Sequence, residues 1–182
     1  MVLLNSSSCN FDWEPNDFQF INLNGEKGTF YESFDTNGLL VMFICNHCPY
    51  VRSIESKIAT ETKKLKGLNV NSIAFMSNDQ NSYEEDHNKF LLEQILRAKF
   101  EFEYIVDDTQ SIAKIFDAQC TPEFYYFSND KKLKYRGRLD SNGKDSSMGK
   151  PELYSAVEEV IAKGYCSSQQ YPSMGCSIKW KN

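Results

Sequence analysis

The chain has 182 residues, of which 41% are hydrophobic and 25% charged, a length and balance that fit one soluble globular domain over residues 1–182. Twenty Lys and Arg against 25 Asp and Glu leave a net charge of −5, which argues against a dedicated binder of nucleic acid or of a membrane surface. No stretch approaches the roughly 18 apolar residues of a membrane span, and the short apolar start Met1-Val2-Leu3-Leu4 has neither basic flank nor sustained apolar run. The expected address is the cytoplasm, where thiols are kept reduced and a lasting structural disulfide would be unusual.

In chain order, residues 1–16 read as a polar, turn-rich, irregular arm. Residues 18–23 alternate before the turn Asn24-Gly25, which predicts a short strand entering a hairpin. The unbroken apolar run 39–45, Leu-Leu-Val-Met-Phe-Ile-Cys, predicts a central strand buried on both faces. Pro49 then opens a segment with Val51, Ile54, Ile58 and Leu65 at helical spacing, closed by Gly67. A second buried strand is expected at 70–76, and an inserted helix follows through Phe90, Leu91, Gln94, Ile95 and Ala98. A short strand at 104–106 and a short helix through Ile112, Ile115 and Phe116 come next. Residues 123–127 and 133–139 predict a terminal antiparallel pair turning at Asn129-Asp130. Leu153, Val157, Val160 and Ile161 mark the last helix before Gly164, and residues 165–182 form a polar tail. Strands alternating with helices in this order give an α/β sheet covered on both faces.

The chemistry concentrates at Cys45-Asn46-His47-Cys48-Pro49, where a strand ends and a helix begins. Unpaired backbone N–H groups and the positive end of the helix dipole stabilise a thiolate at such a turn. Two intervening residues let the sulfurs of Cys45 and Cys48 meet as a disulfide. His47, when protonated, would add a positive charge beside them. The same spacing also serves half of a zinc site, with Cys120, Cys166, Cys176, His47 and His87 as candidate partners, although none is spaced as a second knuckle. A buried, inert pair is the third alternative.

A second element, Cys120-Thr121-Pro122, lies between a helix and a strand, where an X–Pro bond can be cis. Packed against the helix start, it would leave the backbone of Thr121 exposed to pair with an extended substrate chain. Cys120 and, in a tail expected to be mobile, Cys176 are possible third redox thiols. The acidic run 79–86 reads as a solvated loop, His87 as plain surface, and the alternating Lys132, Lys134, Arg136 and Arg138 as a charged solvent face.

These segments together resemble the thioredoxin superfamily, and within it the peroxiredoxin-like branch related to alkyl hydroperoxide reductase (AhpC/TSA) proteins. The resemblance is to a bacterial subgroup sharing Val41-Met42-Phe43-Ile44-Cys45-Asn46-His47-Cys48-Pro49-Tyr50-Val51, Ser77-Asn78-Asp79, Cys120-Thr121-Pro122, Tyr135-Arg136-Gly137-Arg138 and Gly175-Cys176-Ser177-Ile178-Lys179-Trp180-Lys181. It implies a thioredoxin-like fold, a central mixed β-sheet flanked by helices with an inserted helix and an N-terminal hairpin extension, a cis Pro122, and thiol-dependent redox activity. Two departures bear on mechanism. Leu39 to Ile44 carries none of the buried acid that thioredoxins use to relay protons to the second cysteine. Peroxiredoxins place proline seven residues, and threonine or serine three residues, before the attacking cysteine. Counting back from Cys48 gives Val41 and Cys45, and from Cys45 gives Gly38 and Met42.

The expected function is therefore thiol–disulfide exchange, with Cys45 attacking, Cys48 resolving, and His47, Pro49, Thr121 and Pro122 in support. The substrates would be a protein disulfide or a small thiol or peroxide, with a thiol reductant as partner; no cofactor, metal, nucleic acid or membrane is called for. Thiol-dependent peroxidase is the second reading, and a metal-binding thioredoxin-fold module the third.

Overall fold

The computed structural model describes residues 2–181. The apolar run forms β4 (Leu39–Phe43), in which all five side chains are fully buried. It lies at the centre of a five-stranded sheet together with β5 (Asn71–Met76), β6 (Glu103–Val106), β8 (Glu123–Phe127) and β9 (Leu133–Gly137), in the order β6-β5-β4-β8-β9. The β5 and β6 strands run parallel to β4, whereas β8 is antiparallel to β4 and to β9, so the sheet is mixed as expected.

Alternation along β4 sends its side chains into two cores. Leu40 and Met42 pack with α2 (Glu55–Gly67), α3 (Asn88–Ala98) and α5 (Glu152–Lys163) through Ile58, Leu65, Leu91, Leu153 and Val157. Leu39, Val41 and Phe43 pack on the opposite face with α4 (Ser111–Ile115) and with the hairpin of β2 (Gln19–Ile21) and β3 (Lys27–Thr29). Phe116 anchors this second core, its ring centroid 5.4 Å from Trp13, 5.5 Å from Phe43 and 5.5 Å from Tyr125. Edge-to-face pairs of this kind contribute about 0.5–1.5 kcal/mol each beyond their buried area. Among the described residues, no helix is long and apolar enough to cross a membrane.

Four expectations need correction. The single helix expected from Pro49 breaks into α1 (Pro49–Arg52) and α2, and at the break the Ser53 hydroxyl donates to the Tyr50 carbonyl at 3.1 Å, a back-bond that bends helices. The N-terminal arm is fastened: β1 (Leu3–Asn5) is a strand, and Asp12 and Trp13 exchange backbone hydrogen bonds with Leu133. The tail is fastened as well, by β10 (Met174–Ser177), which lies between β1 and β7 (Cys120–Thr121) in a separate antiparallel sheet. A strand built from Met, Gly, Cys and Ser carries little β propensity. What requires small residues is close approach, since a Cβ on Gly175 would lie 2.0 Å from the Thr121 carbonyl oxygen.

The alternating basic residues of β9 are likewise not a solvent face throughout. Arg136 is buried, its Nη2 2.7 Å from Glu123 Oε1 and its guanidinium 4.9 Å from the Tyr125 ring centroid. Arg138 makes a two-pronged pair with Glu152 at 2.6 and 2.7 Å.

Candidate active site

At the C-terminal end of β4 the chain turns into α1, and both Cys45 and Cys48 are fully buried there. One carboxylate that the sequence left in a solvated loop holds the turn. Asp86 is completely buried; its Oδ1 accepts the backbone N–H groups of Asn46 at 2.8 Å and His47 at 2.9 Å. Its Oδ2 meets His47 Nδ1 at 2.6 Å and accepts from Asn78 Nδ2 at 2.9 Å. Burial on its own would push this carboxyl up, but His47, by hydrogen bond, charge and backbone amide, and Asn78 hold it below the usual value. The signal available in sequence was only its place, in the loop after a central strand and at the same end of the sheet as the cysteines.

His47 spends its ring nitrogen on Asp86 and stacks on Tyr83 at 4.4 Å between centroids. Its hydrogen bond therefore goes to the carboxylate and not to a sulfur. Gln94, the one polar residue in the apolar stripe of α3, is buried and donates to the Cys45 carbonyl at 3.3 Å and to Glu55 at 2.9 Å. Arg97 joins the frame, donating to Asn46 Oδ1 at 2.9 Å and to Glu55 at 2.8 Å.

The two cysteines of the motif have opposite electrostatics. Burial pushes the Cys45 thiol well up, reinforced by its hydrogen bond to Cys48 and the nearby Asp86 charge. Cys48 is lowered to about 5, chiefly because Cys45 donates to it; burial opposes this, while Cys176, Thr121 and the Val51 N–H add further stabilisation. Cys48 caps the N-terminus of α1, with Pro49 at the first helical position. With four residues, α1 is too short to carry the dipole of a long helix, so converging donors rather than the macrodipole account for the shift. As a thiol, Cys48 donates to the Thr121 carbonyl at 3.2 Å, a bond that ionisation removes.

The Thr121–Pro122 bond is cis. Thr121 Oγ1 lies 3.3 Å from Cys45 Sγ, so this loop does pack on the cysteine turn. Its backbone is not exposed as expected, because Thr121 pairs with Cys176 of β10 and is 2% exposed. Cys176 Sγ lies 2.7 Å from Cys48 Sγ, which brings a residue 128 positions away into the site. Cys120 lies off to the side, its Sγ 3.9 Å from the Ser173 carbonyl and its thiol raised far above the usual range by burial and Glu123. His87 is exposed, with Nε2 2.7 Å from the Gln80 carbonyl.

Cys45, His47 and Asp86 bring ligand-type atoms within 4.8 Å of one another. The chemistry of the donor set does not suit a cation. Four hydrogen bonds occupy the lone-pair sites of the Asp86 carboxylate.

The sequence pattern of the AhpC/TSA family matches residues 14–136, about two thirds of the chain. The chain belongs to this family. Two solved structures match nearly end to end. An uncharacterized conserved protein from Geobacillus kaustophilus is 30% identical with a TM-score of 0.92, covering 100% of this chain and 97% of that one. The hypothetical protein SMc02350 from Sinorhizobium meliloti 1021 is 31% identical with a TM-score of 0.88, covering 97% and 98%. The thioredoxin domain of a thiol–disulfide oxidoreductase from Bacteroides vulgatus, 17% identical with a TM-score of 0.63 over 85% of this chain and 99% of that one, shows the thioredoxin-like fold. No curated protein matches. Membership of the AhpC/TSA family and this fold point to oxidoreductase or peroxidase chemistry in general.

Proposed function

We propose that the protein is a thiol–disulfide oxidoreductase in which Cys48, not Cys45, is the attacking thiol. The observation that carries this is position: Cys48 caps the N-terminus of α1 with its Sγ 2.7 Å from Cys176 Sγ, whereas Cys45 Sγ sits against Thr121 Oγ1 at 3.3 Å, and burial raises the Cys45 thiol while the Cys48 thiol is lowered. As a thiolate, the nucleophilic form, Cys48 can attack one sulfur of a substrate disulfide to give a mixed disulfide. The first cysteine of the motif keeps a role as donor, and Asp86 fixes the turn that places both.

Disulfide chemistry fits these residues better than peroxide reduction. Fast peroxide reduction needs donors aimed at the departing oxygen. Arg136 and Arg138 do not supply them, because Arg136 is committed to Glu123 and Arg138 to Glu152. Reduction of insulin disulfides with dithiothreitol tests the assignment. Cys48→Ser should fall to the uncatalysed rate, and a Cys48→Ser variant as active as wild type would remove Cys48 as nucleophile.

A further inference from the structure

An attacking thiolate needs a second thiol to release it from the mixed disulfide, and the geometry points to Cys176, carried on β10, as that resolving thiol for Cys48. This rests on Cys48 being the attacking residue. It departs from the pairing that the Cys-x-x-Cys spacing suggests, in which the two motif cysteines close on each other.

Three independent features converge on β10. The first is distance: the sulfurs of Cys48 and Cys176 stand 2.7 Å apart, against about 2.05 Å in a disulfide. The second is register. The β10 strand pairs antiparallel with β7, placing Cys176 opposite Thr121 and Ser177 opposite Cys120. An extended chain lying on the Thr121 edge with its cysteine facing Cys48 is the arrangement a substrate chain would adopt there, so β10 occupies the substrate's place with its own sulfur in the substrate's position. The third is fit. Gly175 comes so close to the loop that a Cβ would lie 2.0 Å from the Thr121 carbonyl oxygen and 3.2 Å from Pro122 Cδ, so only glycine lets the neighbouring cysteine settle at this depth.

Both sulfurs are buried in this arrangement, so a substrate disulfide reaches Cys48 only when β10 lifts. A cavity of about 280 Å³ opens beside it, lined by Tyr50, Pro122 and Met174 among others, and gives the incoming chain a place to start. The Cys48 thiolate attacks the substrate disulfide R–S–S–R′, forming Cys48–S–S–R and releasing R′–S⁻. When β10 returns to its register, the Cys176 thiol gives up its proton to a departing thiolate and attacks the Cys48 sulfur. The Cys48–S–S–R bond breaks, Cys48–S–S–Cys176 forms, and R–S⁻ leaves. Two protein thiols are oxidised to one disulfide and one substrate disulfide is reduced to two thiols.

The environment of Cys176 changes in the direction this sequence needs. Its thiol is pushed up to about 12 by burial first and then by hydrogen bonding and charge from Cys48, against a lowering influence of Lys179. The contributions from Cys48 disappear once Cys48 is bound in the mixed disulfide, which eases ionisation of Cys176 only after substrate has reacted. Cys45 is relieved of Cys48 in the same way but keeps the Asp86 charge beside it, a charge that does not act on Cys176.

Peptide mapping by mass spectrometry after reaction of the reduced protein with glutathione disulfide tests the pairing. Wild-type protein should yield a Cys48–Cys176 disulfide with two glutathiones released per chain, and Cys45→Ser should still close the same bond. Cys176→Ser should accumulate Cys48 as its glutathione adduct, cleared at least 10-fold more slowly than in wild type. Clearance of the adduct at the wild-type rate in Cys176→Ser would overturn the role of Cys176 while leaving Cys48 as nucleophile, whereas a glutathione adduct on Cys45 that closes to a Cys45–Cys48 disulfide would overturn both. Absence of a Cys48 adduct in Cys176→Ser, with no disulfide at Cys48 in wild type, would likewise overturn both.

Discussion

Asp86→Ala should be among the most damaging single substitutions near the cysteines. The wild-type carboxylate accepts two backbone N–H groups of the cysteine turn, together with His47 and Asn78, in a fully buried position. His47 and Asn78 are side chains that can turn elsewhere; the amides of Asn46 and His47 cannot. Hydrogen bonds to a charged group are worth about 1.5–3 kcal/mol each, so losing the two amide bonds costs about 3–6 kcal/mol. Urea unfolding at pH 7 measures this directly: with a slope of about 1–3 kcal/mol/M, the midpoint should drop by on the order of 2 M. The pH dependence supplies a check of sign. The Asp86 carboxyl is depressed in the folded state, so its stabilisation is present above the unfolded carboxyl value of about 3.9 and is lost as pH falls through the lower folded value. The gap between wild type and Asp86→Ala should therefore narrow below about pH 4. A loss under about 1 kcal/mol at pH 7, or a gap that widens in acid, would refute the role of Asp86 as the anchor of the turn.

Other substitutions probe separate parts of the structure. Cys45→Ala removes the largest donor to Cys48 and should move its ionisation up toward the ordinary thiol value of about 8.5, read from the pH profile of alkylation. Gly175→Ala should push β10 away from Thr121 and speed alkylation of Cys48 at fixed pH, whereas an unchanged rate would show that β10 does not shield the site. The Lys57 ammonium is buried against Asp140 at 2.7 Å and also donates to the carbonyls of Asp145 at 2.8 Å and Ser147 at 3.2 Å. Lys57→Met should cost about 3–5 kcal/mol in urea unfolding and expose residues 141–150 to limited proteolysis.

The parts of the fold legible in sequence were those with strong hydrophobic pattern. The apolar run of β4 and the helical stripe of α5 ending at Gly164, with φ +82, came through within a few residues because burial on both faces or on one stripe dictates them. The strands at the chain ends did not, because β1 and β10 are held by pairing with distant segments and by the small size of Gly175, neither of which leaves a periodicity. The candidate site was legible as a motif but not in its roles. Cys-x-x-Cys spacing is silent on which sulfur meets the Val51 N–H, and here it is that of Cys48. Arg136 illustrates the same limit from the other side. Alternation with lysines placed it on a solvent face, whereas a buried Glu123 on the neighbouring strand draws it inward.

The most direct test of Cys48 as attacking thiol is its own ionisation. Reduced protein is treated with iodoacetamide across pH 4–9, and the modified cysteine is located and quantified by mass spectrometry. Cys48 has a lowered folded value of about 5, so its alkylation rate should rise through that pH and level off by about pH 6–7, with Cys45 unmodified across the range. A Cys48 rate still climbing through about pH 8.5, or Cys45 modified ahead of Cys48, would contradict it.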